Sequence, residues 1–153
     1  MKRVCQTVLL ALALGAGATP SYAVADPRPV DPFVPGINED PQLATAWQHW
    51  QAKAIDDYAI SVRLSCFCAP RAAVRTVVRD DRIVKVTRGD HRLRAGRGWS
   101  MDGLYIMIRE ALAEADSVDV SYTPRGVPKS IAIDPDRMAA DEETYYTVTL
   151  ERL

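Results

Sequence analysis

The chain has 153 residues, of which 48% are hydrophobic and 25% charged, and its 19 Lys plus Arg against 20 Asp plus Glu give a formal net charge of −1 at pH 7. That balance lacks the cationic excess a phosphate backbone demands, so it speaks against a nucleic-acid partner. Two histidines and three cysteines leave few ligands for a catalytic metal.

Residues 1–25 have the three parts of a secretory signal. Lys2 and Arg3 form the positive start, and Val8 to Ala18 is apolar and small, too short for the roughly 20 residues a membrane-spanning helix needs. Ala23-Val24-Ala25 ahead of Asp26 is a small-x-small cleavage pattern, with Ser21-Tyr22-Ala23 as a second choice. Cys5 precedes the apolar run, so it is not placed for lipidation and would leave with the peptide. The expected product is exported, periplasmic or secreted, with no transmembrane anchor. Losing Lys2 and Arg3 and no acidic residue takes its formal charge to −3. About 128 residues remain, enough for one domain with its own core.

Residues 26–41 carry Pro27, Pro29, Pro32, Pro35 and Pro41 with little apolar periodicity, which reads as an extended, solvated spacer ahead of a single domain over 42–153. Asp40-Pro41 is a helix start, a carboxylate cap followed by proline at the first helical position. Leu43, Trp47, Trp50 and Ala54 then recur at helical spacing, which points both tryptophans at the core.

From Tyr58 the period changes to two. Tyr58, Ile60, Val62, Leu64, Cys66 and Cys68 alternate with Ala59, Ser61, Arg63, Ser65 and Phe67, predicting a half-buried strand with both thiols on its core face. Ala73 to Arg79 and Ile83 to Arg88, separated by Asp80-Asp81-Arg82, read as a hairpin. Ser100 can cap a second helix with an apolar stripe of Leu104, Met107, Ile108, Ala111, Leu112 and Ala115. Val118 to Thr123, Lys129 to Ile133 and Thr144 to Leu150 follow as strands, the first two joined by Pro124-Arg125-Gly126, where proline presets one dihedral and glycine permits a positive one. The expectation is an α+β fold: an antiparallel sheet of about six strands with two helices on one face, in the order αβββαβββ. The repeated element order raises the question of two similar halves, although no residue-level repeat accompanies it.

Several segments taken in order carry a resemblance. Trp47 and Trp50 precede Asp57-Tyr58, then come Cys66-Phe67-Cys68-Ala69-Pro70 and Tyr122-Thr123-Pro124-Arg125-Gly126-Val127-Pro128. Ile131-Ala132-Ile133-Asp134 follows, and finally Asp141-Glu142-Glu143 before Tyr145. This combination resembles the bacterial exported family known as domain of unknown function 6174. The resemblance implies a small exported α+β domain and brings no activity, substrate or catalytic residue with it.

Two groups stand out chemically. With Cys5 removed, Cys66 and Cys68 are the only thiols. In an oxidising compartment they invite three readings: a structural bridge, a thiol-redox pair, or capture of a soft metal such as copper. A bridge two residues apart requires the strand to distort, and it closes too small a loop to stabilise much. The helix-start Cys-x-x-Cys of redox enzymes is missing. The second group is basic: Arg82, Lys85, Arg88, Arg92, Arg94 and Arg97, of which Arg88, Arg92, Arg94 and Arg97 are the candidate anion-binding residues.

The remaining residue patterns give no catalytic constellation and no metal site. His49 and His91 have no second ligand at helical spacing, and Asp134, Asp136, Asp141, Glu142 and Glu143 lack the spacing of a calcium loop. Gly96-Arg97-Gly98 misses the dinucleotide fingerprint, and no Gly-x-Ser-x-Gly occurs. The expectation is therefore a noncatalytic exported binding domain without a cofactor, engaging an envelope protein through its sheet or an anionic envelope component through its arginines. The alternative is thiol-redox or soft-metal handling at Cys66 and Cys68.

Overall fold

The computed structural model describes residues 27–153; the signal segment read at 1–25, with Cys5, lies outside the described residues. The elements in chain order are β1 (Arg28–Pro29), α1 (Pro41–Gln51), β2 (Tyr58–Cys66), β3 (Val74–Arg79), β4 (Arg82–Arg88) and β5 (His91–Leu93). A 3-10 turn (Ala95–Arg97), α2 (Met101–Glu114), β6 (Ser117–Tyr122), β7 (Pro128–Asp134) and β8 (Thr144–Arg152) complete them. The fold is α+β. All pairings are antiparallel, in the order β1-β4-β3-β2-β8-β7-β6, with β5 also on β4.

The expected six or so strands in the order αβββαβββ are corrected to eight in the order βαββββαβββ among the described residues. The two additions are short and share the outer edge of β4: β1 pairs with its start, at Arg82 and Ile83, and β5 with its end, from Val86 to Arg88. Pro29 is tolerated in β1 because an edge residue need not donate to a ladder, and both pieces blunt an edge that would otherwise be open. Gly89, at φ +54°, makes the reversal from β4 into β5.

The proline-rich segment is also corrected in part. It is extended, but it is not solvated throughout. Phe33 is 2% exposed and packs against Trp47 and Tyr105, with ring centroids 6.2 and 5.5 Å away. Arg109 on α2 lies 4.7 Å over the Phe33 ring and donates to the Val34 carbonyl at 3.1 Å. Proline spacing conceals this role because a single aromatic anchor has no periodicity.

Both helix starts are capped as read: Asp40 accepts from the Leu43 amide at 2.9 Å, and Ser100 from the Gly103 amide at 3.0 Å. The stripes shift by a residue or so. On α1 the buried residues are Leu43, Ala46 and Trp50, while Trp47 is half-buried, and Ala54 lies past the helix at φ +44°. On α2, Tyr105 is fully buried and Leu112 is 40% exposed, reversing their expected roles. The Tyr105 hydroxyl explains the exchange: it donates to the Gly126 carbonyl at 3.0 Å and approaches that of Ala46 at 3.4 Å, so a buried polar tip is satisfied.

The two helices share one core with the inner face of the sheet. Alternation on β2 puts Tyr58, Ile60 and Val62 in that core, and the register continues it through Val74, Thr76 and Val78 on β3 and Val148 on β8. The halves occupy the sheet as β4-β3-β2 and β8-β7-β6, in the same lateral order with strand directions reversed and both helices on one face. Only a mirror operation would map one onto the other. The halves are therefore not a duplicated unit. Among the described residues no helix is long and apolar enough to cross a membrane.

Candidate functional site

The helices cover one face of the sheet and leave the other open, and that open face gathers the basic residues. Ser61, Arg75, Thr87 and Arg92 stand in register across β2, β3, β4 and β5. Two residues from Thr87 along β4 stands Lys85; two residues beyond Arg92, on extended backbone, stands Arg94. Arg63 is two residues beyond Ser61 on β2. Strand alternation thus places Arg63, Arg75, Lys85, Arg92 and Arg94 on one face, among the hydroxyls of Ser61, Thr87, Thr147 and Thr149.

Of these five cations, Arg75 alone is ion-paired among the described residues. It reaches across β2 to Glu151 at 2.6 Å, over Ala59, which is 2% exposed. Arg63, Lys85, Arg92 and Arg94 have no acidic partner within 4.0 Å there. The other half of the same face is acidic, with Asp119 and Asp134 on β6 and β7. The net charge of the chain therefore hides a separation of charge along the sheet.

The four arginines singled out in the sequence do not form one cluster. Arg92 and Arg94 join the open face. Arg88 pairs with Val74 and His91 on the helix-facing side, its Nε buried with no partner among the described residues, and Arg97 sits exposed in the 3-10 turn. Arg63 and Arg75 were missed as site residues. The signal was present, since both fall out of phase with the core residues of their strands, but the pairing that unites strands so far apart in sequence is not local information.

At one end of the sheet, the sulfurs of Cys66 and Cys68 lie at disulfide distance, with Cα atoms 5.1 Å apart. The expectation that both thiols face the core is corrected. β2 ends at Cys66, which is half-buried, and Cys68 is exposed beyond it, where its amide donates to the Cys66 carbonyl at 2.6 Å. That tight turn breaks the alternation and swings the second sulfur back beside the first. Phe67 between them is 82% exposed.

His49 is exposed on α1 beside a shallow hollow lined by Tyr122 and Thr123, and His91 is exposed on β5. No group of three or more His, Cys, Asp or Glu converges to hold a metal ion among the described residues.

A separate cavity of about 330 Å³ opens at the opposite end of the sheet from the cysteines. Its walls come from Val30, Pro32, Trp50 and Ile55, and its polar groups from Gln51, Asp56, Tyr58, Asp81 and Asp102. Burial raises the Asp102 carboxyl above the ordinary carboxylate range, an effect opposed by a hydrogen bond from the Phe33 backbone and reinforced by Asp81.

No curated protein and no solved structure matches the chain. A family model does: residues 42–151, from the start of α1 almost to the end of β8, match the family of unknown function DUF6174, and the chain belongs to that family.

Proposed function

We propose that the chain is an exported, noncatalytic binding module that holds an anionic component of the cell envelope against the basic half of its open sheet face. The observation that carries this reading is a set of cations with no acidic partner among the described residues, Arg63, Lys85, Arg92 and Arg94, on one face of β2, β4 and β5 and just beyond β5, around hydroxyl side chains. Guanidinium groups suit phosphate and carboxylate oxygens because their donors are forked, and a rigid sheet holds them at fixed spacing. The apparent signal at residues 1–25 supplies the compartment.

The test is co-sedimentation with vesicles bearing phosphatidylglycerol, against neutral phosphatidylcholine vesicles. Each cation near an anionic surface contributes roughly 1 kcal/mol, so Lys85→Ala with Arg92→Ala and Arg94→Ala is expected to weaken binding about a hundredfold. Stability should be unchanged, because all three side chains are exposed. Added salt should weaken the unaltered protein in the same direction. Arg88→Ala and Arg97→Ala should have little effect. Equal binding by the triple variant would refute the reading.

The second reading, thiol exchange or soft-metal capture, is favoured by one observation: the Cys68 sulfur lies on an exposed turn beside that of Cys66. An incoming thiolate would attack Cys68 and release Cys66 as thiolate; a second partner thiol would then complete the two-electron exchange, leaving this pair reduced and the partner oxidised. Closing so small a loop stabilises little, so Cys66→Ser is expected to cost no more than about 2 kcal/mol. Intact mass with and without alkylation, across a graded reductant series and after incubation with copper, decides it. Opening at a mild potential or a copper adduct supports this reading; a bridge that resists reduction and binds no copper makes the pair structural.

A further inference from the structure

Exposed aromatic surface is not scattered over this protein. Phe67, 82% exposed, and Tyr145, 52% exposed, are the only exposed Phe, Trp or Tyr side chains among the described residues, and both stand at the cysteine end of the sheet. Tyr145 lies directly opposite Ser65 on β2 and out of phase with the buried Val148, which places it on the open face. Phe67 follows two residues after Ser65, in the turn that the Cys68 amide closes onto the Cys66 carbonyl. From this aromatic end the register runs directly into the basic half. Arg63 and its partner Thr147 stand two residues along from Ser65 and Tyr145. The next row crosses five strands as Thr149, Ser61, Arg75, Thr87 and Arg92. Neighbouring strands lie about 4.8 Å apart, close to the length of one sugar unit in an extended chain, so successive units would meet successive side chains of that row.

We propose that the anion held on this face is an acidic polysaccharide, a chain of sugars bearing carboxylates, which crosses the basic rows and stacks on Tyr145 and Phe67. This deepens the anion-binding reading of the basic half and rests on it. Guanidinium groups take up the carboxylates through forked pairs of hydrogen bonds. The hydroxyls of Ser61, Thr87, Thr147 and Thr149 between them can both donate to and accept from sugar hydroxyls, groups that a polyphosphate lacks. The exposed rings offer apolar faces to the C–H faces of pyranose sugars while the Tyr145 hydroxyl stays in water. A bilayer fits the same face less well. A charged plane spanning it would meet Asp119 and Asp134 on β6 and β7 as well as the arginines, whereas a chain one sugar wide can keep to the basic rows.

The test is NMR titration of the folded protein with hexagalacturonate, following the Tyr145 ring and Ser65 amide signals. Neutral cellohexaose, inorganic polyphosphate of similar length and phosphatidylglycerol vesicles are the comparisons. Hexagalacturonate is expected to bind saturably at millimolar concentration or below, and cellohexaose not to bind. Tyr145→Thr keeps strand propensity and Phe67→Ser lies in a loop, so both should fold as the parent does, and each should weaken hexagalacturonate binding about fivefold. Neither should change vesicle binding, because vesicles engage the face by charge alone. Arg63→Ala with Arg92→Ala should weaken both ligands, by about thirtyfold. Vesicle binding without hexagalacturonate binding would overturn this inference and leave the anion-binding reading standing; binding of neither would overturn both. Aromatic variants that bind hexagalacturonate as the parent does, or that lose vesicle binding equally, would also overturn it, as would polyphosphate binding as tightly as the sugar.

Discussion

Replacing Gly126 by alanine is expected to destabilise the protein by about 3 kcal/mol or more, among the largest losses from any single added methyl group. Gly126 sits in the β6–β7 turn at φ +86°, a conformation that costs an L-residue about 1–2 kcal/mol. A Cβ here would also overlap the Ala46 carbonyl oxygen and crowd the Trp50 amide, both backbone atoms of α1 that cannot rotate away. The helix would have to lift, at a further cost of about 1–3 kcal/mol. Lifting would weaken the Tyr105 hydroxyl contacts that span Ala46 and Gly126. Thermal unfolding should show a fall of roughly 10 °C or more. Arg125→Ala in the same turn is the control, with an expected change within about 0.5 kcal/mol because its side chain is exposed. A Gly126→Ala protein as stable as the parent would mean that the turn and α1 are not in contact.

Alkaline solution should unfold the protein for a reason traceable to two side chains. Tyr58 and Tyr105 are 4% and 0% exposed, and burial pushes both hydroxyls well above their ordinary value of 10.0. The unfolded chain releases these protons near that value, while the folded chain keeps them. Above it the native state therefore holds more protons than the unfolded state, and stability falls as pH rises. Each tyrosine contributes about 1.4 kcal/mol per pH unit in that range, so the pair should cost roughly 3 kcal/mol by about pH 11. Tyr122 and Tyr146, half-buried and shifted in the same direction, add to the slope. Urea unfolding across this range measures the loss directly, and tyrosinate absorbance from Tyr58 and Tyr105 should appear only as the protein unfolds. Tyr105→Phe should remove about 1.4 kcal/mol per pH unit from the slope. Stability that stays flat into this range would contradict the burial of both hydroxyls.

The legible part of the fold was the part written in local periodicity and punctuation. Asp40-Pro41 and Ser100 announced the helix starts because a capping side chain needs only the amides a few residues on. The alternation from Tyr58 to Cys66 announced a strand, and Pro124 to Gly126 a turn, by the same short-range logic. Phe33 was lost because an isolated aromatic among prolines has no period. β1 and β5 were lost because strands of two and three residues exist only where a partner edge already stands. Cys68 was misplaced because alternation does not reveal where a strand stops.

Candidate sites were legible in proportion to their locality. The cysteine pair is two residues apart and could be seen at once. The basic face was half visible, through Arg92 and Arg94, while Arg63 and Arg75 joined it only when β2, β3, β4 and β5 came into register. The cavity was not visible at all. Tyr58 and Asp102 meet because α2 begins where β2 begins, and the Met101 amide finds its acceptor in a tyrosine hydroxyl from another element.

What this sequence determined by itself was composition, the alternation of helical and strand periods, and the caps and turns, the last three set by interactions within a few residues. What only the tertiary structure decided was which strands lie side by side, which cations share a face, and which carboxylates share a cavity. Those outcomes depend on pairing β2 with β8, from Tyr58 opposite Arg152 to Cys66 opposite Thr144, across most of the chain. Such a pairing is selected by burying the inner face of the whole sheet beneath both helices at once, and no short stretch of sequence carries that information.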